Sequence, residues 1–290
     1  MEMKDGRNRL KSLLDTARRS ERTLVMGILN VTPDSFSDGG LFFGAQAAIE
    51  HARRIADEGA DIIDIGGEST RPNAEPLSQQ DELGRVLPVI DAIAGAIECP
   101  ISIDTYKSIV ARAAIEAGAA MVNDISALTF DPSMAPTLAD LEVPVCLMHI
   151  QGTPRDMQQN PVYNDVVGDV KSWLAGRIAA AKRAGIRDEN IIIDPGFGFG
   201  KTVQHNLELL RRLRELTELG YPVLMGTSRK STIGKVLGGL PPGERLEGTA
   251  ATVALSIANG ASIVRVHDVI EMVRVVKMTD AVVRGWREVV

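Results

Sequence analysis

The sequence predicts an α/β fold in which eight parallel strand–helix units close into a single-domain (β/α)8 TIM barrel. Three observations carry that expectation. From Thr23 onward one pattern recurs: a short β-branched run, a polar loop, then an amphipathic stretch rich in Ala, Leu, Glu and Arg. The strand runs are almost wholly apolar rather than alternating, as parallel strands covered on both faces require. Eight repeats over residues 23–290 allow about 33 residues each, the size of a strand–helix–strand unit. The main rival, a doubly wound open sheet, usually has a Gly-rich turn after its first strand. Here that turn is Asn30-Val-Thr-Pro-Asp34 and holds no glycine.

The elements follow in order. Strand one, Leu24–Leu29, leads through a polar loop to a helix over Ala45–Asp57. Ile62–Ile65 precedes a helix at Gln80–Ile97, which Ser78-Gln-Gln-Asp81 opens at capping-box spacing. Ile101–Ile103 is followed by Lys107–Ala117, Met121–Val122 by Pro132–Leu141, and Val143–Met148 by Asp165–Ala184. Ile191–Ile193 then pairs with a helix at Asn206–Leu219, and Val223–Met225 with Ser231–Ala258, broken at Gly238–Gly243. Ile263–Val266 and Val269–Glu288 finish the set, with Asp268-Val-Ile-Glu271 again at capping-box spacing. Gly59, Gly118, Gly185, Gly220 and Gly260 each fall between a helix and the next strand, where a left-handed C-cap is wanted. No stretch has linker composition. The reading is therefore one barrel domain over residues 23–290 behind an N-terminal extension, residues 1–22.

Composition excludes several partners. The chain is 24% charged and 44% hydrophobic, with a formal charge of −6 that argues against nucleic acid or an anionic membrane surface. No run approaches the ~18 apolar residues of a membrane helix, and the first 22 residues lack the apolar core of a signal peptide. Cys99 and Cys146 stand far apart with no CxxC, so neither a disulfide framework nor a zinc site is expected. These features read as a soluble, cytoplasmic protein with reduced thiols.

Polar residues gather at one place in the repeat, the C-terminal ends of the strands. Asn30 follows strand one, Asp64, Glu68, Thr70 and Arg71 strand two, and Asp104 strand three. Asn123 and Asp124 end strand four, His149 strand five and Asp194 strand six. In a barrel these ends converge on one face, where such folds build their sites. Arg229, Lys230, Arg265 and His267 follow strands seven and eight, the usual phosphate corner, and point to an anionic leaving group. Ser231 would open the next helix, whose free amides suit a carboxylate. Asp104, Asn123 and Asp194 present acceptors and an amide to the mouth, a set that matches a heterocycle with several N–H donors and a carbonyl. Asp64 and Asp124 read equally well as buried structural acceptors. Residues 31–44 hold Phe36, Phe42 and Phe43, which suggests a lid with an apolar underside, and Gly66-Gly67 would hinge a second loop. Other motifs fail: the first glycine of a Walker A falls on Pro195, the four histidines form no HExxH, and GxSxG is absent.

In the segments Met26–Gly40, Asp64–Pro72, Ser102–Lys107, Asn123–Ile125, Leu147–Pro154, Asp194–Lys201, Gly226–Ser231 and Arg265–Asp268, the chain resembles the dihydropteroate synthases, the pterin-binding TIM-barrel family of folate biosynthesis. The resemblance runs from about Thr23 to Arg284. It implies condensation of a dihydropterin-6-ylmethyl diphosphate with 4-aminobenzoate to give dihydropteroate and diphosphate. It also implies roles for particular residues. Asp104, Asn123, Asp194 and Lys230 would bind the pterin, with Gly198, Met148, Ile125 and Met225 lining its slot. Arg265 and His267 would hold the diphosphate, with Asn30 beside a Mg2+ bound to it, and Thr70 and Arg71 would contact substrate. Phe36, Pro72, Phe199 and Ser231 would form the aminobenzoate pocket. Lys230, Asp104, Arg265 and His267 are the candidate catalytic residues. Family members generally form homodimers. A pterin-dependent methyltransferase or a non-catalytic pterin-binding paralogue is the alternative; the first would not need the Ser-Arg-Lys and Arg-Val-His cations, and the second should have lost some of them.

Overall fold

Short runs of Ile, Val, Leu and Met pair in parallel because each buries side chains on both of its faces. The computed structural model describes residues 3–32, 40–71 and 74–286. The strands are β1 (Leu24–Asn30), β2 (Ile62–Gly66), β3 (Ile101–Asp104), β4 (Met121–Asp124), β5 (Val145–Met148), β6 (Ile191–Asp194), β7 (Leu224–Met225) and β8 (Ile263–Val266). They form one sheet in the order β6-β5-β4-β3-β2-β1-β8-β7. A parallel bridge between Ile193 and Val223 joins the two ends, so the sheet curls into a nearly closed barrel. This is the single-domain (β/α)8 TIM barrel that the repeat arithmetic predicts.

The period of two sorts the side chains. Leu24, Met26, Ile62, Met121, Cys146, Ile192, Leu224 and Ile263 form an apolar layer inside the lumen. Their neighbours, among them Val25, Ile63, Ile103, Val122, Leu147, Ile193, Met225 and Val264, face outward into the main core beneath the helices. Met225 was expected to line a ligand slot from the resemblance. It points instead into that outer core, because Leu224 takes the inward position of β7.

Helix α1 (Met3–Arg18) occupies most of the stretch that the sequence reading sets aside as an extension. Leu10, Leu14 and Ala17, spaced i, i+4, i+7, are buried against the apolar lumen layer. The Arg18 guanidinium donates to the carbonyls of Asp188, Glu189 and Ile191 before β6. The helix thus covers the N-terminal end of the barrel.

The remaining helices are α2 (Gly40–Asp57), α3 (Gln79–Ile93), α4 (Ser108–Ala117), α5 (Met134–Leu141), α6 (Val166–Arg183), α7 (Val203–Arg211), α8 (Arg214–Thr217), α9 (Ser231–Val236), α10 (Leu246–Ala258) and α11 (Val269–Arg284). Helix α2 starts five residues earlier than the sequence suggests, which places Phe42 and Phe43 in a helix rather than in a loop. Residues 33–39, with Phe36, and Pro72 lie outside the described residues. The expected helix at Asn206–Leu219 is split into α7 and α8 and begins at a capping box. There Thr202 Oγ1 accepts from the His205 amide while His205 Nδ1 accepts from that of Thr202. Ser78 caps α3 as anticipated. Asp268 does not cap α11, because its carboxylate is taken by Arg229. All five inter-element glycines adopt positive φ. Among the described residues, no helix is long and apolar enough to cross a membrane.

Candidate active site

Strand register assembles the site. Asn30 pairs with Gly66, Gly66 with Asp104, and Asp104 with Asn123, so one layer across β1–β4 carries an amide, a gap, a carboxylate and an amide. The gap has a use. A Cβ on Gly66 would sit 3.8 Å from both Asn30 Oδ1 and Asp104 Oδ2, so glycine keeps open the space between those two oxygens. On the far side of the barrel, Met148 pairs with Asp194.

Arg265 enters this layer from β8. Its Nη2 donates to Asp104 Oδ2 at 2.8 Å and its Nε to Asp64 Oδ2 at 2.6 Å. The same Asp64 oxygen accepts from Asn123 Nδ2 at 3.0 Å. Asp64 therefore belongs to the site. Asp124 does not: it is fully engaged with the Ser126 and Leu128 amides and the Ser126 hydroxyl on the outer side.

These charges shape one another. Burial pushes the Asp104 carboxyl up to about 7, with Arg265 opposing the shift and Asp64 adding to it. Burial likewise raises Asp194, against the pull of Lys230. The Lys230 ammonium is lowered by burial to about 8, with Asp194 holding it up. Burial alone would lower Arg265, but Asp64 and Asp104 together hold its guanidinium above its ordinary value.

Lys230 reaches from the N-cap of α9 to donate to the Phe197 carbonyl, and its Nζ lies 4.6 Å from the centre of the Phe199 ring. His267 is half-buried and held down at about 3, by burial first and then by Arg265 and Arg229, so its imidazole is neutral. Ser228 Oγ accepts from the His267 backbone amide at 3.2 Å and lies 3.0 Å from its Nδ1. If the Ser228 hydroxyl donates its proton to Nδ1, the imidazole keeps its own proton on Nε2 as a donor. Arg229 leaves the expected cation cluster, since both ends of its fork bind Asp268. Ser231 opens α9 and is exposed, as the sequence implies.

Ile125 and Met148 form an apolar patch with Ile150 and Met157, and Phe199 packs against it. The turn carrying Gly198 and Phe199 is pinned on several sides. The Gly198 amide donates to Asn206 Oδ1 at 2.7 Å, and the Gly198 carbonyl accepts from Gln158 Nε2 at 2.7 Å. Below it, Lys201 Nζ donates to the carbonyls of Gly196 and Phe199 at 3.0 and 2.9 Å and meets His149 Nδ1. Gly196 is obligatory here: its φ is +68°, and a Cβ would fall 1.8 Å from the His149 carbonyl oxygen.

Thr70 is half-buried and Arg71 exposed at the end of the second loop. The charge of Arg71 adds to the depression of His267, which places this loop near that imidazole. Its root is fixed by Lys107, which is paired with both Glu68 and Glu82, and by Tyr106, whose hydroxyl donates to Glu68 at 2.8 Å.

Sequence reasoning thus brings Asn30, Asp104, Asn123, Asp194, Lys230, Arg265 and His267 to one end of the barrel, as found. It placed Glu68, His149 and Ser228 at the strand ends but missed their partnerships with Lys107 and Glu82, with Lys201 and with His267, and it missed Asn206 altogether. Lys107 and Lys201 stand inside the quoted segments, but their partners lie on other elements and leave no local pattern.

Among the described residues, no three His, Cys, Asp or Glu side chains converge on a metal position. Mg2+ is commonly held by one or two protein oxygens together with substrate phosphates. The Asn30 amide oxygen beside the space kept by Gly66 fits that mode.

Comparisons with known proteins show which family the chain is similar to. The model of a family described as pterin binding enzyme matches residues 26–267. The chain is 50% identical over 267 residues to the dihydropteroate synthase of Synechocystis sp., covering 92% of this chain and 91% of that one. It is 52% identical over 261 residues to that of Bacillus subtilis, covering 90% and 89%. Among solved structures, Xanthomonas albilineans dihydropteroate synthase with 4-aminobenzoic acid superposes with a TM-score of 0.86 at 48% identity, covering 90% of this chain and 93% of that chain. The same enzyme in complex with 7,8-dihydropteroate gives 0.82 at 46%, covering 90% and 94%.

Proposed function

The chain belongs to the pterin-binding enzyme family, and from that premise we infer that it is a dihydropteroate synthase, a transferase of folate biosynthesis. The reaction joins the 6-methylene carbon of a dihydropterin-6-ylmethyl diphosphate to the amine of 4-aminobenzoate. The C–O bond to diphosphate breaks, a C–N bond forms, and the amine gives up one proton.

The observation that carries the assignment of roles is the 2.8 Å contact between Arg265 and Asp104. The bond that breaks lies between a ring rich in N–H donors and a polyanion. A guanidinium that serves the anion and a carboxylate that serves the ring must therefore be neighbours. Asp104, Asn123 and Asp194 accept from the ring, while Ile125, Met148 and Gly198 lie against its faces. Arg265 and the neutral His267, through Nε2–H, take the departing diphosphate, with Thr70 and Arg71 alongside. Lys230, between Asp194 and Phe197, binds the ring and adds positive charge where the leaving group develops its negative charge. Asp104 and Asp194 offset the positive charge left on the ring as the C–O bond lengthens. Phe199 and Ser231, with Phe36 and Pro72, hold the aminobenzoate, whose attack then depends mainly on positioning. Asn30 would hold a Mg2+ carried in on the diphosphate. Such an ion neutralises the leaving group and makes it easier to expel.

Two further features belong to this reading. The protein acts as a homodimer: α10 and α11 pack side by side and leave Leu255, Ile270 and Met278 exposed, an apolar surface suited to a second copy. It works in the cytoplasm, in keeping with two free, buried cysteines.

The test is diphosphate release from the dihydropterin diphosphate with Mg2+, with and without 4-aminobenzoate. Release coupled to dihydropteroate formation is the expected result. Tight pterin binding without turnover would overturn the assignment.

A further inference from the structure

One buried carboxylate touches both halves of the site without being placed to touch either substrate. Asp64 is fully buried one layer below Asp104, paired in register with Ser102. Its Oδ2 accepts from Arg265 Nε at 2.6 Å and from Asn123 Nδ2 at 3.0 Å. Its Oδ1 and the Asn123 Oδ1 are buried with no hydrogen-bond partner among the described residues.

We propose that Asp64 is a positioning residue that sets two recognition groups at once. It orients the Arg265 guanidinium toward the diphosphate, and it turns the Asn123 amide so that the ring slot meets an acceptor. This rests on the synthase reading and adds to it a specificity device. An amide is ambiguous, since either end can face a ligand. Asp64 removes the ambiguity. Asp64 Oδ2 accepts from Arg265 Nε and takes Asn123 Nδ2 beside it, so Asn123 Oδ1 is left as the buried acceptor for a ligand N–H. A ring carrying a carbonyl at that point would leave two acceptors face to face and unpaired, at a steep cost in affinity. The same carboxylate holds Arg265 from below while Asp104 holds it from the side. The fork is therefore fixed before any anion arrives, which lowers the ordering cost of binding.

The experiment is Asp64→Asn, which keeps size but presents a donor and no charge. Two probes are titrated separately onto the unreacted enzyme: a 6-hydroxymethyl dihydropterin lacking phosphate, and inorganic diphosphate with Mg2+. Loss of hydrogen bonds to a charged group is expected to weaken each by about tenfold or more. The KM for 4-aminobenzoate and the melting temperature should change little. Asn123→Ala should weaken only the ring probe and Arg265→Ala mainly diphosphate. Adding Asp64→Asn to Asn123→Ala should weaken ring binding no further. A variant that binds both probes like wild type, or one that loses all three ligands in proportion to a fall in melting temperature, overturns the proposal.

A second measurement does not depend on the variant folding. In wild-type protein labelled with 15N-asparagine, the Asn123 side-chain amide, identified by its loss in Asn123→Ala, should be protected from solvent exchange. Exchange as fast as that of exposed asparagines overturns the proposal. The two readings fail separately. Wild type that binds neither probe overturns the functional assignment, whereas wild type that binds both beside an unaffected Asp64→Asn overturns this inference alone.

Discussion

Lys201 and His149, 52 residues apart in sequence, meet at 2.9 Å between Nζ and Nδ1 beneath the turn that carries Gly198 and Phe199. Burial holds the Lys201 amine well below its ordinary value and His149 down at about 2. Their work is mechanical. Lys201→Met would leave the Phe199 carbonyl unpaired and take one of two donors from the Gly196 carbonyl, at about 1–3 kcal/mol of stability, and would release the Phe199 ring. A several-fold rise in KM for 4-aminobenzoate, with a lower melting temperature, is the expected outcome. Steady-state kinetics and thermal unfolding check it.

Asp104 at about 7 and Lys230 at about 8 bracket the working pH. Ring binding needs the carboxylate, so kcat/KM falls as pH drops through about 7. Charge on the leaving group needs the ammonium, so kcat/KM also falls as pH rises through about 8. A narrow bell results. Lys230→Arg moves the alkaline limb upward, and Lys230→Ala loses over ~10²-fold in turnover while folding normally. Stability carries its own mark of Asp104. Its folded value lies above the ordinary 3.8, so the folded chain holds a proton that the unfolded one has lost. That contribution is complete below about 4 and is lost as pH rises through about 7. A pH–rate profile and melting curves from pH 4 to 9 test both limbs.

A Ser228 hydroxyl that donates to Nδ1 would fix the proton of His267 on Nε2. Ser228→Ala frees Nδ1, and the imidazole then divides between tautomers, so part of the population loses its Nε2–H donor. The affinity for diphosphate should fall by about threefold to tenfold, with little change in ring binding. Titration calorimetry with diphosphate and Mg2+ measures it; an unchanged affinity would refute the tautomer assignment.

Leu10 is fully buried in α1, against the lumen layer at the end of the barrel opposite the site. Leu10→Ala should cost about 2–5 kcal/mol of stability by opening a cavity there. At temperatures where the variant is folded, kcat and KM should stay at wild-type values. Denaturant unfolding and kinetics at 20 °C separate the two effects.

The barrel and much of its site were legible because parallel strands are apolar on both faces and stop at polar residues. Asp104 and Asp194 close their strands in the sequence just as they close them in space, and Asn123 stands one residue before the end of its own. What stayed hidden depends on distance along the chain. Glu82 lies 25 residues before Lys107, and nothing around either residue announces the other. Asp64 reads as a strand-end acid of no special kind until β8 brings Arg265 across from 201 residues away. Asp268 shows the converse error: the capping-box spacing is present, but Arg229 offers a stronger partner than a helix amide. Met225 was misjudged for a simpler reason, since in a two-residue strand the apolar pattern does not reveal which residue faces inward.

Because α1 packs on the apolar lumen layer, ligands cannot reach the site through that end of the barrel. On the proposed function, a ring bound at the level of Asp104 and Asn123 would be the deepest of the ligands, and whatever is held nearer the mouth would stand in its way. An excess of either mouth-binding ligand, offered before the ring, would slow the enzyme by standing in the doorway.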